Sequence, residues 1–295
     1  EPDFRLTPEA ILAEVDDRTR IVYVSSPSNP TGSYNTAEET RRLHAALPPH
    51  VLLVIDEAYA EFVAEPDWET SFPLARDSDN IVVTRTFSKI HGLAAQRIGW
   101  AVAPLPIIAA LDRVRGPFNV TTTGQAAAVA SLADDTHLDM VRRETIRLRA
   151  FLEGEIVALG NAGLRAIPSA CNFILIEFPE SGPVTAAGAN EWLLDHGIIC
   201  RYLAVQNMPR CLRIAIGTET ETRTVAAALR DLPVAAAAGG ELPRAGEHCV
   251  HFGAAHGRGE CLGVGAVAEE LGEEFVEEGV GLLDEVGNKT EAVGE

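Results

Sequence analysis

Positive charge is scarce in this chain. Against 43 Asp and Glu stand 24 Lys and Arg, a formal net charge of -19, and the bases form no run. A nucleic-acid partner needs a basic stripe or patch, and none is there. An anionic membrane surface is disfavoured for the same reason. Cysteine is sparse and irregular: Cys171, Cys200, Cys211, Cys249 and Cys261 are odd in number and include no C-x-x-C pair. Neither a disulfide framework nor a common zinc site is indicated. Long apolar runs are missing too. The most apolar stretch, 98–111, carries two prolines and falls well short of the ~20 residues a membrane span needs. No secretory signal is visible, so a cytoplasmic protein is expected. The chain opens on Glu1 rather than Met, which suggests a processed chain or a fragment.

What is present is ample apolar content, 46% of 295 residues, enough to bury a core. Ile11, Leu12 and Val15 recur at helical spacing within 8–18. A short apolar run at 21–26 stops at SPSNPTG. A helix is predicted over 36–47, with Thr36 as N-cap and Glu39 completing a capping box. Further apolar runs occupy 51–59, 80–89 and 97–103. Runs apolar on both faces, separated by helices and ending in polar residues, describe parallel strands covered on both sides. In such open α/β sheets, ligands bind beyond the carboxyl ends of the strands. Those ends carry Asn29, Asp56 and Thr86 to Lys89, so three strand ends are expected at one site.

From about residue 112 the texture changes. Helices are predicted at 122–133, 137–160, 184–196 and 219–231, and strands at 171–178, 198–203 and 211–218. That mixture suggests a small α+β domain. After Pro233 the sequence turns Ala-, Gly-, Val- and Glu-rich, with Arg244, Arg258 and Lys289 as its strong bases. Three segments are therefore expected: a partial large domain at 1–112, a small domain at 113–233 and a poorly ordered acidic tail at 234–295. Within the tail, His248, Cys249, His251, His256 and Cys261 are soft-metal ligand types, but their spacing matches no finger pattern and no metal site is expected.

The strand-end residues suit one kind of chemistry. A pyridoxal-phosphate (PLP) enzyme needs a lysine to bind the cofactor's aldehyde and a carboxylate to keep the pyridine nitrogen protonated. It also needs donors for the phenolic oxygen, and hydroxyls with an arginine for the phosphate. Lys89 and Asp56 answer the first two needs. Asn29 and Tyr59 answer the third, and Thr86, Ser88 and Arg97 the fourth.

With these residues in place a resemblance is plain. SNPTG (28–32), DEAYAEF (56–62), TRTFSKIHGLAAQRIGW (84–100), RGPFNV (115–120) and CLRIAIGTE (211–219) resemble the fold-type-I, class II aminotransferases, and within them the histidinol-phosphate aminotransferase family. Any one of these motifs is weak; their order and spacing over 1–233 are specific. The resemblance implies an α/β fold: part of an aspartate-aminotransferase-like large domain with parallel strands, then a small α+β domain. It implies PLP as cofactor and Lys89 as its covalent anchor and proton carrier. Asp56 would pair with the ring nitrogen, Asn29 and Tyr59 with the phenolic oxygen, and Thr86, Ser88 and Arg97 with the phosphate. Arg213 would grip the substrate's anionic end, with Arg201 a second candidate. The reaction implied moves the amino group of histidinol phosphate to 2-oxoglutarate, giving imidazole-acetol phosphate and glutamate, in a homodimer. An aromatic-amino-acid aminotransferase or a decarboxylase shares the same core. Gln96 departs from the family's usual apolar residue before Arg97. The family also carries, ahead of this point, the first strands of the sheet, a phosphate-binding turn and a stacking aromatic. A truncated scaffold unable to close its site is therefore the rival expectation.

Overall fold

The computed structural model describes residues 4–160 and 163–232. Contacts divide these into two compact units: one holds Arg5–Ser28 and Tyr34–Asp139, the other Phe4, Asn29–Ser33 and the residues from Met140 on. The first unit thus includes the helix that follows residue 121. Ala128, in the helix α5 (Thr122–Leu132), packs on Phe87 and Ile98 and belongs with them.

The first unit is built on a sheet of β1 (Ile21–Ser25), β2 (Leu52–Asp56), β3 (Ile81–Thr86) and β4 (Gly99–Val102), in that order. The first three strands are parallel, with Ser25 beside Asp56 and Asp56 beside Thr84. Side chains alternate across a strand, so one face carries Val22, Val24, Leu53, Ile55, Ile81 and Val83. That face packs on Ile11 of α1 (Pro8–Ala13), Leu43 of α2 (Ala37–Ala46) and Ala75 of α3 (Phe72–Arg76). The opposite face carries Tyr23, Val54, Asp56, Val82, Thr84 and Thr86. The capping box of α2 is present as predicted: Thr36 accepts from the Glu39 amide, and the Glu39 carboxylate accepts from the Thr36 amide.

The fourth strand corrects an expectation. β4 runs antiparallel to β3, Thr86 pairing with Gly99. A parallel return needs a crossover, usually a helix, of a dozen or more residues. The connection 87–98 holds only turns and a short 3₁₀ piece, Ala94–Gln96. α4 (Leu105–Val114), α5 and the first residues of α6 (Asp135–Ala158) complete this unit.

The second unit holds a sheet of order β5-β6-β8-β7: β5 (Arg165–Ile167), β6 (Phe173–Glu177), β7 (Arg201–Tyr202) and β8 (Cys211–Ala215), every neighbour antiparallel. Ile174, Ile176, Leu212 and Ile214 pack on Leu152 and Ile156 of α6. Leu193 of α7 (Ala186–Asp195), with Val225 and Leu229 of α8 (Glu219–Arg230), completes that core. The segment 234–295, with its His/Cys cluster, lies outside the described residues. Among the described residues no helix is long and apolar enough to cross a membrane.

Candidate active site

β2 ends on Asp56 and Glu57 follows directly, and backbone alternation sends the two carboxylates to opposite faces. Asp56 is held from three directions. Its Oδ2 accepts from the Tyr23 hydroxyl of β1 at 2.9 Å. Its Oδ1 accepts from the Ala58 amide at 3.0 Å and from the Thr84 hydroxyl of β3 at 3.4 Å. Burial first, and then the Asp56 charge, raises the Tyr23 phenol well above the ordinary tyrosine range. The phenol therefore remains a donor at all ordinary pH values.

Lys89 stands on the turn after β3. Phe87 and Ile90 on either side are buried, while Lys89 is exposed. Backbone bonds fix the turn: Phe87 to Ile98 at 3.1 Å, Gly92 to Lys89 at 2.9 Å and Leu93 to Phe87 at 3.0 Å. The Lys89 Nζ lies 5.2 Å from the ring centroid of buried Tyr59, within cation–π range. The Thr86 hydroxyl accepts from the Ser88 amide at 3.0 Å. Arg97 takes the left-handed conformation, φ 48°, and donates to the Ala94 carbonyl at 2.7 Å. A non-glycine residue held there costs ~1–3 kcal/mol. His91 reaches α5, its Nδ1 2.7 Å from the Ser131 hydroxyl, and its ring packs 4.8 Å from that of Phe87. Burial holds its imidazole below the usual histidine range.

On the other face of the sheet, Glu57 is buried against Arg85 at 2.9 Å. Its carboxylate also accepts from the Thr70 hydroxyl at 2.8 Å and the Ser71 amide at 2.6 Å. Arg85 reaches Glu61 at 2.6 Å and stacks 4.7 Å over Phe72. This network ties the segment 57–72 to β3 directly behind Asp56.

In the second unit, an Arg213 guanidinium nitrogen donates to the Asn29 side-chain oxygen, and the guanidinium lies 5.0 Å over the Phe173 ring. Arg201 is Arg213's register partner across β7 and β8. The loop carrying Asn29 is clamped here as well. The Ala170 amide donates to the Gly32 carbonyl at 2.8 Å. A Cβ on Gly32, whose φ is +78°, would sit 2.3 Å from the Ser169 hydroxyl oxygen, so only glycine fits.

The donor set has a definite chemical fit. A carboxylate held in one orientation suits a cationic ring nitrogen. An exposed primary amine beside an aromatic ring suits an aldehyde. Two hydroxyls and an arginine suit a phosphate.

Comparison with known proteins agrees. Residues 1–229 match the family described as Aminotransferase class I and II. The chain belongs to that family. The histidinol-phosphate aminotransferase of Sphingopyxis alaskensis is 51% identical over 228 residues, covering 77% of this chain and 61% of the relative. That of Rhodopseudomonas palustris is 47% identical over 223 residues, covering 76% and 60%. A crystal structure of histidinol-phosphate aminotransferase from Sinorhizobium meliloti, in complex with pyridoxal-5'-phosphate, superposes with a TM-score of 0.71 at 34% identity, covering 79% of this chain and 62% of that one. The chain thus spans about three fifths of the length of these family members.

Two features of this aminotransferase chain were not picked out in the sequence. Tyr23 and Thr84 reach Asp56 only through the pairing of three strands, which no local spacing reveals. The second was open to counting: lysine occurs at only two positions, Lys89 and Lys289. Basic charge elsewhere is arginine, so an amine at position 89 is chemically singular among the described residues.

Proposed function

We propose that this chain carries the lysine-bearing part of a PLP-dependent aminotransferase that moves the amino group of histidinol phosphate to 2-oxoglutarate. Its expected setting is a cytoplasmic homodimer. The observation that carries the reading is a three-way-held Asp56 at the end of β2 and an exposed Lys89 on the turn that follows the neighbouring strand β3. The 51% identity to a histidinol-phosphate aminotransferase points to the substrate.

Bound PLP would supply an electron sink that makes the substrate's α-proton acidic. The residues of this chain supply the rest. Lys89 would anchor the cofactor through its Nζ and, as a free amine, would take and carry the substrate's α-proton on that nitrogen. Asp56 keeps the ring nitrogen protonated by accepting its N–H. Asn29 and Tyr59 donate to the phenolic oxygen. Thr86, Ser88 and Arg97 hold the phosphate. Arg213, with Arg201 beside it on the neighbouring strand, grips the anionic end of the substrate.

The test is direct because lysine is so rare. The chain is loaded with PLP, reduced with borohydride and digested, and the pyridoxyl-labelled peptide is identified by mass. The label should fall on Lys89 and vanish in Lys89→Ala. A label on Lys289, or one that survives the substitution, would sink the assignment. Transamination of histidinol phosphate should then outrun that of aromatic amino acids.

A further inference from the structure

We infer that Tyr23 is a positioning residue for Asp56, selecting which carboxylate oxygen meets the cofactor's ring nitrogen. The inference rests on the PLP reading above and adds a residue to it. Each carboxylate oxygen offers two lone-pair sites. Oδ1 accepts from the Ala58 amide at 3.0 Å and has the Thr84 hydroxyl beside it at 3.4 Å as a second, longer donor. Oδ2 accepts from the Tyr23 hydroxyl at 2.9 Å, which leaves one site. That site is the more open one to a ring N–H.

The geometry makes this a restraint as well as a count. The three donors come from β1, from the residues just past β2, and from β3. Rotation of the carboxylate about its last bond would break the Tyr23 bond and the Ala58 bond together. Tyr23 stands on the sheet face opposite the first unit's core and is 47% exposed. Packing alone therefore does not demand that its hydroxyl reach a residue 33 positions away. A hydrogen bond to an ionised acceptor is about twice as strong as a neutral one, and the raised phenol stays protonated to make it.

The experiment is a double-mutant cycle on the full chain, reading PLP dissociation constants by visible absorption. Tyr23→Phe keeps the ring and removes the hydroxyl. It should weaken PLP about tenfold, equivalent to ~1.4 kcal/mol. In an Asp56→Ala background the same change should have less than about a twofold effect, because the partner through which Tyr23 acts is gone. Equal loss in both backgrounds, or no loss in the native one, overturns the inference. A structure of the PLP-loaded native chain tests it without any variant: the ring nitrogen should lie within hydrogen-bond reach of Oδ2, and pairing through Oδ1 overturns it. If the native chain takes up no borohydride-trappable PLP, the parent reading falls and this one with it. If trapping on Lys89 succeeds while the cycle shows no coupling, only the Tyr23 assignment is lost.

Discussion

Arg201 and Arg213 are register partners across β7 and β8, two guanidinium-bearing residues directly opposite one another. Like charges so placed are destabilising by themselves, and an anion between them would reverse the sign. An arginine holds a phosphate or carboxylate through paired hydrogen bonds that a lysine cannot reproduce. Arg213→Lys should therefore weaken histidinol-phosphate binding by about tenfold to a hundredfold, the worth of one charged hydrogen bond. The visible band of lysine-bound PLP should be unchanged. Equal loss of PLP in this variant would move Arg213 into the cofactor's own contacts.

Asp56→Asn keeps the shape of the side chain and removes its charge. PLP should still bind, while the half-reaction in a single turnover slows by two orders of magnitude or more, ~3 kcal/mol or above. Rapid-mixing absorbance of the PLP-loaded protein with excess amino substrate measures it. An unchanged rate would show that Asp56 has another task.

The Glu57–Arg85 pair should govern stability instead of chemistry. The Glu57 side chain is 1% exposed and that of Arg85 11%. Removing one partner of a buried pair leaves an uncompensated charge, at a cost of ~3–5 kcal/mol. Arg85→Ala should lower the urea midpoint accordingly. Arg18→Ala, which breaks a pair on the solvent-exposed surface, should leave the midpoint in place. A midpoint for Arg85→Ala equal to that of the native chain would mean that Glu57 finds its compensation elsewhere.

How much of this was legible beforehand depended on the range of the interaction. The Thr36–Glu39 capping box is a bond between residues three apart, and it was readable directly. The placement of Asp56 at a strand end and of Lys89 just beyond one was readable because each follows an apolar run with a distinctive motif. The direction of β4 was not, since its alternation is the same whichever way the strand runs. α4 was obscured by Pro104 and Pro106, which resemble breakers. They occupy the N-cap and the first turn, where a missing amide hydrogen costs nothing. Tyr23 and Arg85 were beyond reach because their partners are set by register between strands far apart in sequence.

The neighbouring acids at the end of β2 give that strand a built-in error check. A slip by one residue would exchange their sides, because side-chain direction has a period of two. Glu57 would then crowd Tyr23 and Thr84 with a longer arm, and Asp56 would face Arg85, Thr70 and Ser71 with a shorter one. Neither exchange is neutral, although both residues carry the same charge. A single-residue insertion or deletion within β2 should therefore damage catalysis and folding together, whereas substitutions at either acid separate the two.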